Sequence, residues 1–187
     1  TPSLLMTHQG GLPNWRARLN LSASSWDDMF PGGDTLRFVA DPDTGYRYSG
    51  EGYVLLQRVV EEVTGMGLVE LGWERVLEPL GMTHSIFVFD DRMRQNYAHG
   101  HIREGTPDKW NISLPLASST ILTTATDLAR FGTHMASQIR TDGPYAALAT
   151  PAVLVGKEGD AALHWGPGFG IASVGERDYV YHGGNNV

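Results

Sequence analysis

The chain has 187 residues, 41 % of them hydrophobic and 10 % aromatic, enough for one domain with a substantial core and too apolar for a disordered segment. Its net charge is −7, and its two lysines, Lys109 and Lys157, stand apart among scattered arginines; this excludes a protein that grips nucleic-acid phosphates electrostatically. With no cysteine there are no disulfides or thiolate metal sites, and no apolar run approaches the roughly 20 residues needed to span a bilayer.

In chain order, "TPSLLMTHQGG" reads as the last turns of a helix, with Thr1 as cap, Pro2 at the first helical position and Gly10-Gly11 as the stop. Residues 12–47, rich in Pro, Gly, Asp and Asn, read as a long irregular segment, a kind of stretch that is usually functional. A helix is expected from about Gly52 to Thr64. Tyr53, Leu56, Val60 and Val63 mark its apolar face, and Gly65 its end. A second helix runs from about Leu68 to Leu77 and stops at Pro79 and Gly81. "SIFVF" (85–89) reads as a short strand or extended segment, and residues 90–118 as loop. Thr124 and Asp127 have the spacing of a capping box, ahead of a helix to about Ile139 whose face is Leu128, Phe131 and Met135. "HWGPGFGIASVG" and "DYVYHGG" carry the alternation and glycine spacing of strands. No repeat, linker or low-complexity tract divides residues 1–187, so one unit is expected.

Six stretches, in order and from end to end, resemble the serine β-lactamase-like family, which includes class C β-lactamases, D-alanyl-D-alanine carboxypeptidases and related esterases. They are "LLMTHQGGLPNW" (4–15), "YRYSGEGYVLLQRVVEEVTG" (46–65), "VLEPLGMTHS" (76–85), "ASSTILTTATDLARF" (117–131), "GPGFGI" (166–171) and "YHGGNN" (181–186). The resemblance implies an α+β, β-lactamase/transpeptidase-like fold, represented by most of the helical lobe and part of the antiparallel sheet. It also implies a serine nucleophile in Ser-x-x-Lys, a tyrosine in the second motif, and Lys or His before Gly in the third. Carried over, Tyr48 is the catalytic tyrosine and His182 the third-motif residue. Gly50, Gly183, Gly184 and Asn185 fall at substrate-binding and oxyanion positions, Asn185 being where the strand-side oxyanion donor falls. No cofactor is implied. The expected partner is a small-molecule or peptide substrate, and the expected location is periplasmic or secreted, with the cytoplasm as the alternative.

Two departures qualify this. Gly50 stands where the family motif has an Asn that bonds the substrate's amide; Glu51 beside it is either a partial replacement or a surface residue favoured by the helix dipole. No Ser-x-x-Lys occurs: Ser137-Gln-Ile-Arg140 ends in an arginine that does not deprotonate, and Thr106-Pro-Asp-Lys109 lies in loop-like sequence. Since the family's nucleophile lies upstream of the segment that "LLMTHQGGLPNW" (4–15) resembles, the chain is expected to be a fragment of a longer hydrolase, incomplete at both ends. The competing reading is a non-catalytic binding protein on the same fold, and a metal-dependent hydrolase comes a distant third.

Residue by residue, the blander alternatives are a packing role for Tyr48 and an ordinary strand-end role for His182. His8 reads as structural, holding its loop by hydrogen bonds. His99-Gly-His101 has metal-ligand residue types, but no third ligand follows at a suitable spacing. Trp15, Trp26, Trp110 and Trp165 read equally as cleft walls or packing anchors.

Overall fold

The structure, a computed structural model, describes residues 1–14, 37–91, 96–99 and 116–184. Helix α1 (Pro2–Met6) begins on its proline as expected but ends before the paired glycines. His8, at φ 55°, turns the chain out of the helix. Gly11 serves a close approach instead: its φ is +69°, a Cβ there would run into the Ala40 carbonyl, and its own carbonyl accepts the Val39 N–H at 2.8 Å.

Helix α2 (Gly50–Thr64) starts two residues ahead of the expected Gly52, because Ser49 caps it. The Ser49 Oγ accepts the Gly52 N–H at 2.9 Å and donates to the Pro13 carbonyl at 2.6 Å, so one hydroxyl both starts the helix and anchors it to the N-terminal segment. Its buried residues are Gly50, Glu51, Gly52, Val54 and Gln57. The expected apolar face is wrong at its far end, where Val60 is 36 % and Val63 81 % exposed. Docking is partly polar. Gln57 Oε1 accepts the Ala117 N–H at 2.8 Å, and Gln57 Nε2 donates at 3.0 Å to Glu61 Oε1, which also accepts the Leu68 N–H.

Helix α3 (Leu68–Gly72) runs into a π-helical turn, Trp73–Leu77, and the chain leaves through left-handed Gly81. Gly72 lies flat against the Phe87 ring, where a Cβ would collide. The segment expected to be extended makes an antiparallel bridge, Ile86 with Leu122.

Helix α4 (Ala125–Gln138) has the expected Thr124 cap, with the Asp127 N–H donating to Thr124 Oγ1 at 3.2 Å. The return half of the capping box is absent. Asp127, fully buried, instead accepts from the His84 N–H (2.8 Å), the Ser85 hydroxyl (2.9 Å) and Arg130 Nη1 (2.6 Å). Arg130 also donates to the Gly81 carbonyl at 2.9 Å, so the end of the α3 region is tied to the start of α4. Leu128, expected on the buried face, is 56 % exposed.

A 3₁₀ turn (Pro144–Ala149) leads into four strands: β1 (Val153–Glu158), β2 (Ala161–Trp165), β3 (Gly170–Val174) and β4 (Arg177–Tyr181). They form an antiparallel meander in the order β1-β2-β3-β4, with left-handed Gly159 and Gly175 in its two tight turns. Strand β1 escaped the sequence reading; a register shift between Leu154 and Gly156 breaks its alternation. Among the described residues the buried apolar side chains are Leu12, Val54, Leu77, Met82, Leu116, Trp165 and Ile171. Each is worth about 1.5–3 kcal/mol of transfer free energy. No helix among the described residues is long and apolar enough to cross a membrane.

Candidate active site

Tyr48 sits on the extended approach to α2, and His8 holds the backbone on both sides of it. The Arg47 N–H donates to the His8 carbonyl at 2.7 Å, and the Ser49 N–H donates to His8 Nδ1 at 3.1 Å. With Nδ1 accepting, the proton of the neutral ring belongs on Nε2. The buried imidazole packs against Tyr48, Tyr53, Trp165 and Tyr46, with ring centroids 4.4, 5.1, 5.1 and 5.8 Å away. Burial, with His182 nearby, lowers its pKa to about 4, so the ring is neutral at physiological pH.

The three tyrosines of this segment are not equivalent. Burial pushes Tyr46 up to about 12, with Tyr48 and Tyr181 adding to the effect, and pushes Tyr53 up to about 12 as well. The Tyr53 hydroxyl is engaged, donating to the Met6 carbonyl at 2.8 Å; that carbonyl also accepts the Gly168 N–H from the β2–β3 connection. Tyr48 is 44 % exposed, the most open of the three.

From the sheet side, Trp165 ends β2 and is 8 % exposed. Its indole lies 6.3 Å from the Tyr48 ring and 5.4 Å from the His182 ring, both edge-on. Gly170 helps to shape this corner: it pairs with Tyr181 across β3 and β4, and a Cβ there would come within 2.6 Å of the Tyr181 ring. His182 follows directly, exposed, with exposed Gly183 and Gly184 after it. The structure therefore brings Tyr48 and His182 to one aromatic cluster through Trp165 and His8. Asn185 lies outside the described residues.

Gly50 opens α2 with its N–H donating to Asn14 Oδ1 at 3.1 Å. Glu51 is buried, at 1 % exposure, so its reading as a surface residue does not hold. His8 does hold its loop by hydrogen bonds, and it is also the centre of the site. Neither that nor the bridging place of Trp165 was recognised in sequence. The signal available was that both fall inside or beside family-like stretches, "MTHQGG" and "HWGPGFG". His101 lies outside the described residues, and no group of three or more His, Asp or Glu among the described residues is placed to hold a metal ion.

An exposed phenol and an exposed imidazole at the mouth of an aromatic corner can relay a proton and shape the field around a reacting carbonyl. The β-lactamase family profile matches residues 1–187. The chain belongs to the β-lactamase family. This family's members point to serine hydrolase chemistry. The chain is 29 % identical, over 147 residues, to penicillin-binding protein 4 of Amycolatopsis lactamdurans, covering 70 % of this chain and 38 % of that one. It is 34 % identical over 100 residues to the lovastatin esterase of Penicillium rubens, covering 46 % of this chain and 24 % of the esterase. Its fold superposes on the octameric penicillin-binding protein homologue from Pyrococcus abyssi with a TM-score of 0.68 at 25 % identity, over 90 % of this chain and 42 % of that one. The expected α+β, β-lactamase/transpeptidase-like fold is thus the observed one, helices with a four-stranded antiparallel sheet. The chain spans less than half the length of each of these three relatives.

Proposed function

We propose that this β-lactamase-family chain is the tyrosine- and histidine-bearing part of a serine hydrolase that acts through an acyl-enzyme on an ester, a D-amino peptide or a β-lactam. The observation that carries this reading is the position of Tyr48: exposed, locked at both flanking residues by His8, and facing the same indole as His182. In this reading Tyr48 moves the proton between the serine hydroxyl and the leaving group, and His182 tunes the field around both. Gly183 and Gly184, just after β4, belong to the edge where the oxyanion is received, a role the family resemblance also gives to Asn185, and each donor in such a hole is worth roughly 3 kcal/mol. Because residues 1–187 contain no Ser-x-x-Lys, the nucleophile and its lysine are supplied from outside them. The ester class draws support from the lovastatin esterase and the peptide class from the penicillin-binding proteins. A periplasmic or secreted location belongs to the same proposal.

The second reading, a binding protein that kept the fold without the chemistry, is favoured by Gly50 in the Asn position and by the missing motif. Mass spectrometry separates the two. Incubated with a 4-nitrophenyl ester, the full-length protein should gain one acyl group on a serine that precedes a lysine by three residues. Full occupancy of the site by substrate with no adduct and no nitrophenol release would establish the binding protein.

A further inference from the structure

Trp165 stands where the two halves of the candidate site meet. Among the described residues it is the only one whose ring packs against both Tyr48, at 6.3 Å, and His182, at 5.4 Å, each edge-on. The same indole lies 5.1 Å from the His8 ring and 5.9 Å from that of Tyr46. It therefore meets the side chain that fixes the Tyr48 backbone as well as the phenol itself. Tyr48 belongs to the approach to α2 and His182 to the end of β4, and among the described residues no ring contact joins the two directly.

The place of the indole is set by its backbone. Trp165 pairs with Val153 on one side and with Gly170 on the other. Its carbonyl accepts the Ala152 N–H at 3.0 Å, and the next residue, Gly166, donates to the Phe169 carbonyl at 2.8 Å. A Cβ on Gly166 would come 2.7 Å from the Thr150 carbonyl oxygen, so the end of β2 lies close against the segment that leads into β1. A residue paired on both sides holds a side chain more precisely than a loop does. The indole N–H is buried and makes no full hydrogen bond among the described residues. It lies near the Tyr53 hydroxyl, whose pKa burial raises and the indole lowers. Trp165 acts on Tyr48 and His182 through the placement of its ring.

We infer that Trp165 is a positioning residue for the acylation step: its indole, held by the sheet, sets the separation between the Tyr48 phenol and the His182 imidazole so that both act on one reacting centre. The inference rests on the hydrolase reading and adds a residue that works through two others. Phenol and imidazole come from different parts of the fold, and a misplacement of about 1 Å at a reacting group costs on the order of 10²-fold in rate. A ring fixed between them removes that freedom before substrate arrives.

The test uses the full-length protein, 4-nitrophenyl acetate and stopped-flow detection. Burst amplitude counts active sites, and the burst rate gives the acylation rate constant per active site and the substrate Kd. Counting active sites keeps the comparison valid for a variant that folds only in part. Trp165→Phe keeps one aromatic ring and removes the other. It should lower the rate constant about tenfold, and Trp165→Ala about a hundredfold, with Kd within about twofold. An unchanged rate constant in Trp165→Phe, with only the amplitude reduced, would make Trp165 a packing residue and overturn the inference. The loss should also shrink where the phenol hydroxyl is already gone. In a Tyr48→Phe background, Trp165→Phe should cost less than about threefold, because a ring that moves no proton loses nothing by being misplaced. Losses that multiply in full would overturn the inference too. If the parent protein forms no acyl-enzyme, the hydrolase reading fails by itself, and ring dynamics decide Trp165. NMR relaxation should then show the Tyr48 and His182 rings exchanging between positions on the microsecond-to-millisecond timescale in Trp165→Phe and still in the parent. Rings equally still in both proteins, or mobile in both, would end the positioning role.

Discussion

The imidazole of His8 and the phenol ring of Tyr48 lie with centroids 4.4 Å apart, and the hydrogen bonds from the residues on either side of Tyr48 both end on His8. One residue just beyond the first helix, through its carbonyl and its ring, thus sets the position of a residue forty places later. The contact is made by a neutral ring, since Nδ1 must be unprotonated to accept the Ser49 N–H.

That neutrality makes folding sensitive to acid. The His8 pKa in the folded chain is about 4 against an ordinary 6.5, depressed by burial first and by His182 second; the other rings packed on it are Tyr46, Tyr48, Tyr53 and Trp165. Between those two values the unfolded chain holds a proton that the folded chain does not. The contribution is therefore complete above about pH 6.5 and lost as the pH falls towards about 4. His8→Asn keeps an acceptor, suits the left-handed backbone and does not titrate. Urea unfolding at pH 7 and pH 4 should show the parent losing about 2 kcal/mol more than His8→Asn, after allowance for solvent screening. Equal losses would show that the imidazole is not the titrating group.

Removing only the Tyr48 hydroxyl should disable acylation without unfolding the chain, because the residue is 44 % exposed and its ring, which Phe keeps, packs on His8. In the full-length protein, Tyr48→Phe should lower the acylation rate about 10²–10⁴-fold, as for other positioned acid–base groups. Stopped-flow release of nitrophenol reads it directly, and a parental rate in the variant would reduce Tyr48 to a packing residue. The 187 residues alone, having no Ser-x-x-Lys, should release no nitrophenol above a denatured control.

Asp127 should matter to stability far more than its place on a helix surface pattern suggests. Burial pushes its pKa up, but the His84 N–H, the Ser85 hydroxyl and Arg130 outweigh that and hold it below the ordinary 3.8. Asp127→Asn removes the charge and turns an NH₂ towards one of three donors. A fall in melting temperature of roughly 5–10 °C is expected, and a smaller one for Arg130→Ala, whose side chain is 47 % exposed. Calorimetry showing the reverse order would place the strength of the joint in the ion pair rather than in the buried bonds.

The sheet should make the 187-residue chain associate. Among the described residues, strands β1 and β4 are its edges, and Leu154, Val155, Tyr179 and Tyr181 on them are 42–54 % exposed. An exposed edge with apolar side chains is a template for another strand. Light scattering should show mass rising with concentration, and less so for Tyr179→Lys. A monomer across the range would overturn this expectation and leave the β1 irregularity as one device that blunts an edge.

Local chemistry determined much of this from sequence alone. Proline at the start of α1, the Thr124 cap of α4, Gly65 at the end of α2 and the glycine-marked strands β2 to β4 all follow from backbone preferences that act over a few residues. The ordered motif stretches gave the family and, with it, Tyr48 and His182 as the residues to watch. Tertiary structure decided what depends on partners distant in sequence. The α2 face that is buried carries Glu51 and Gln57 rather than Val60 and Val63, because a hydrogen bond from Ala117 holds Gln57 in place and hydropathy does not register such bonds. The Asp127 carboxylate turned from its own cap to His84 and Ser85, forty-three and forty-two residues back. Gly11 is required by the approach of Ala40, not by the end of a helix. His8 and Trp165 became the centre of the candidate site because the chain folds α1, the Tyr48 turn and the ends of β2 and β4 onto one point, and ring contacts between residues 17 to 157 positions apart leave no periodicity in the sequence between them.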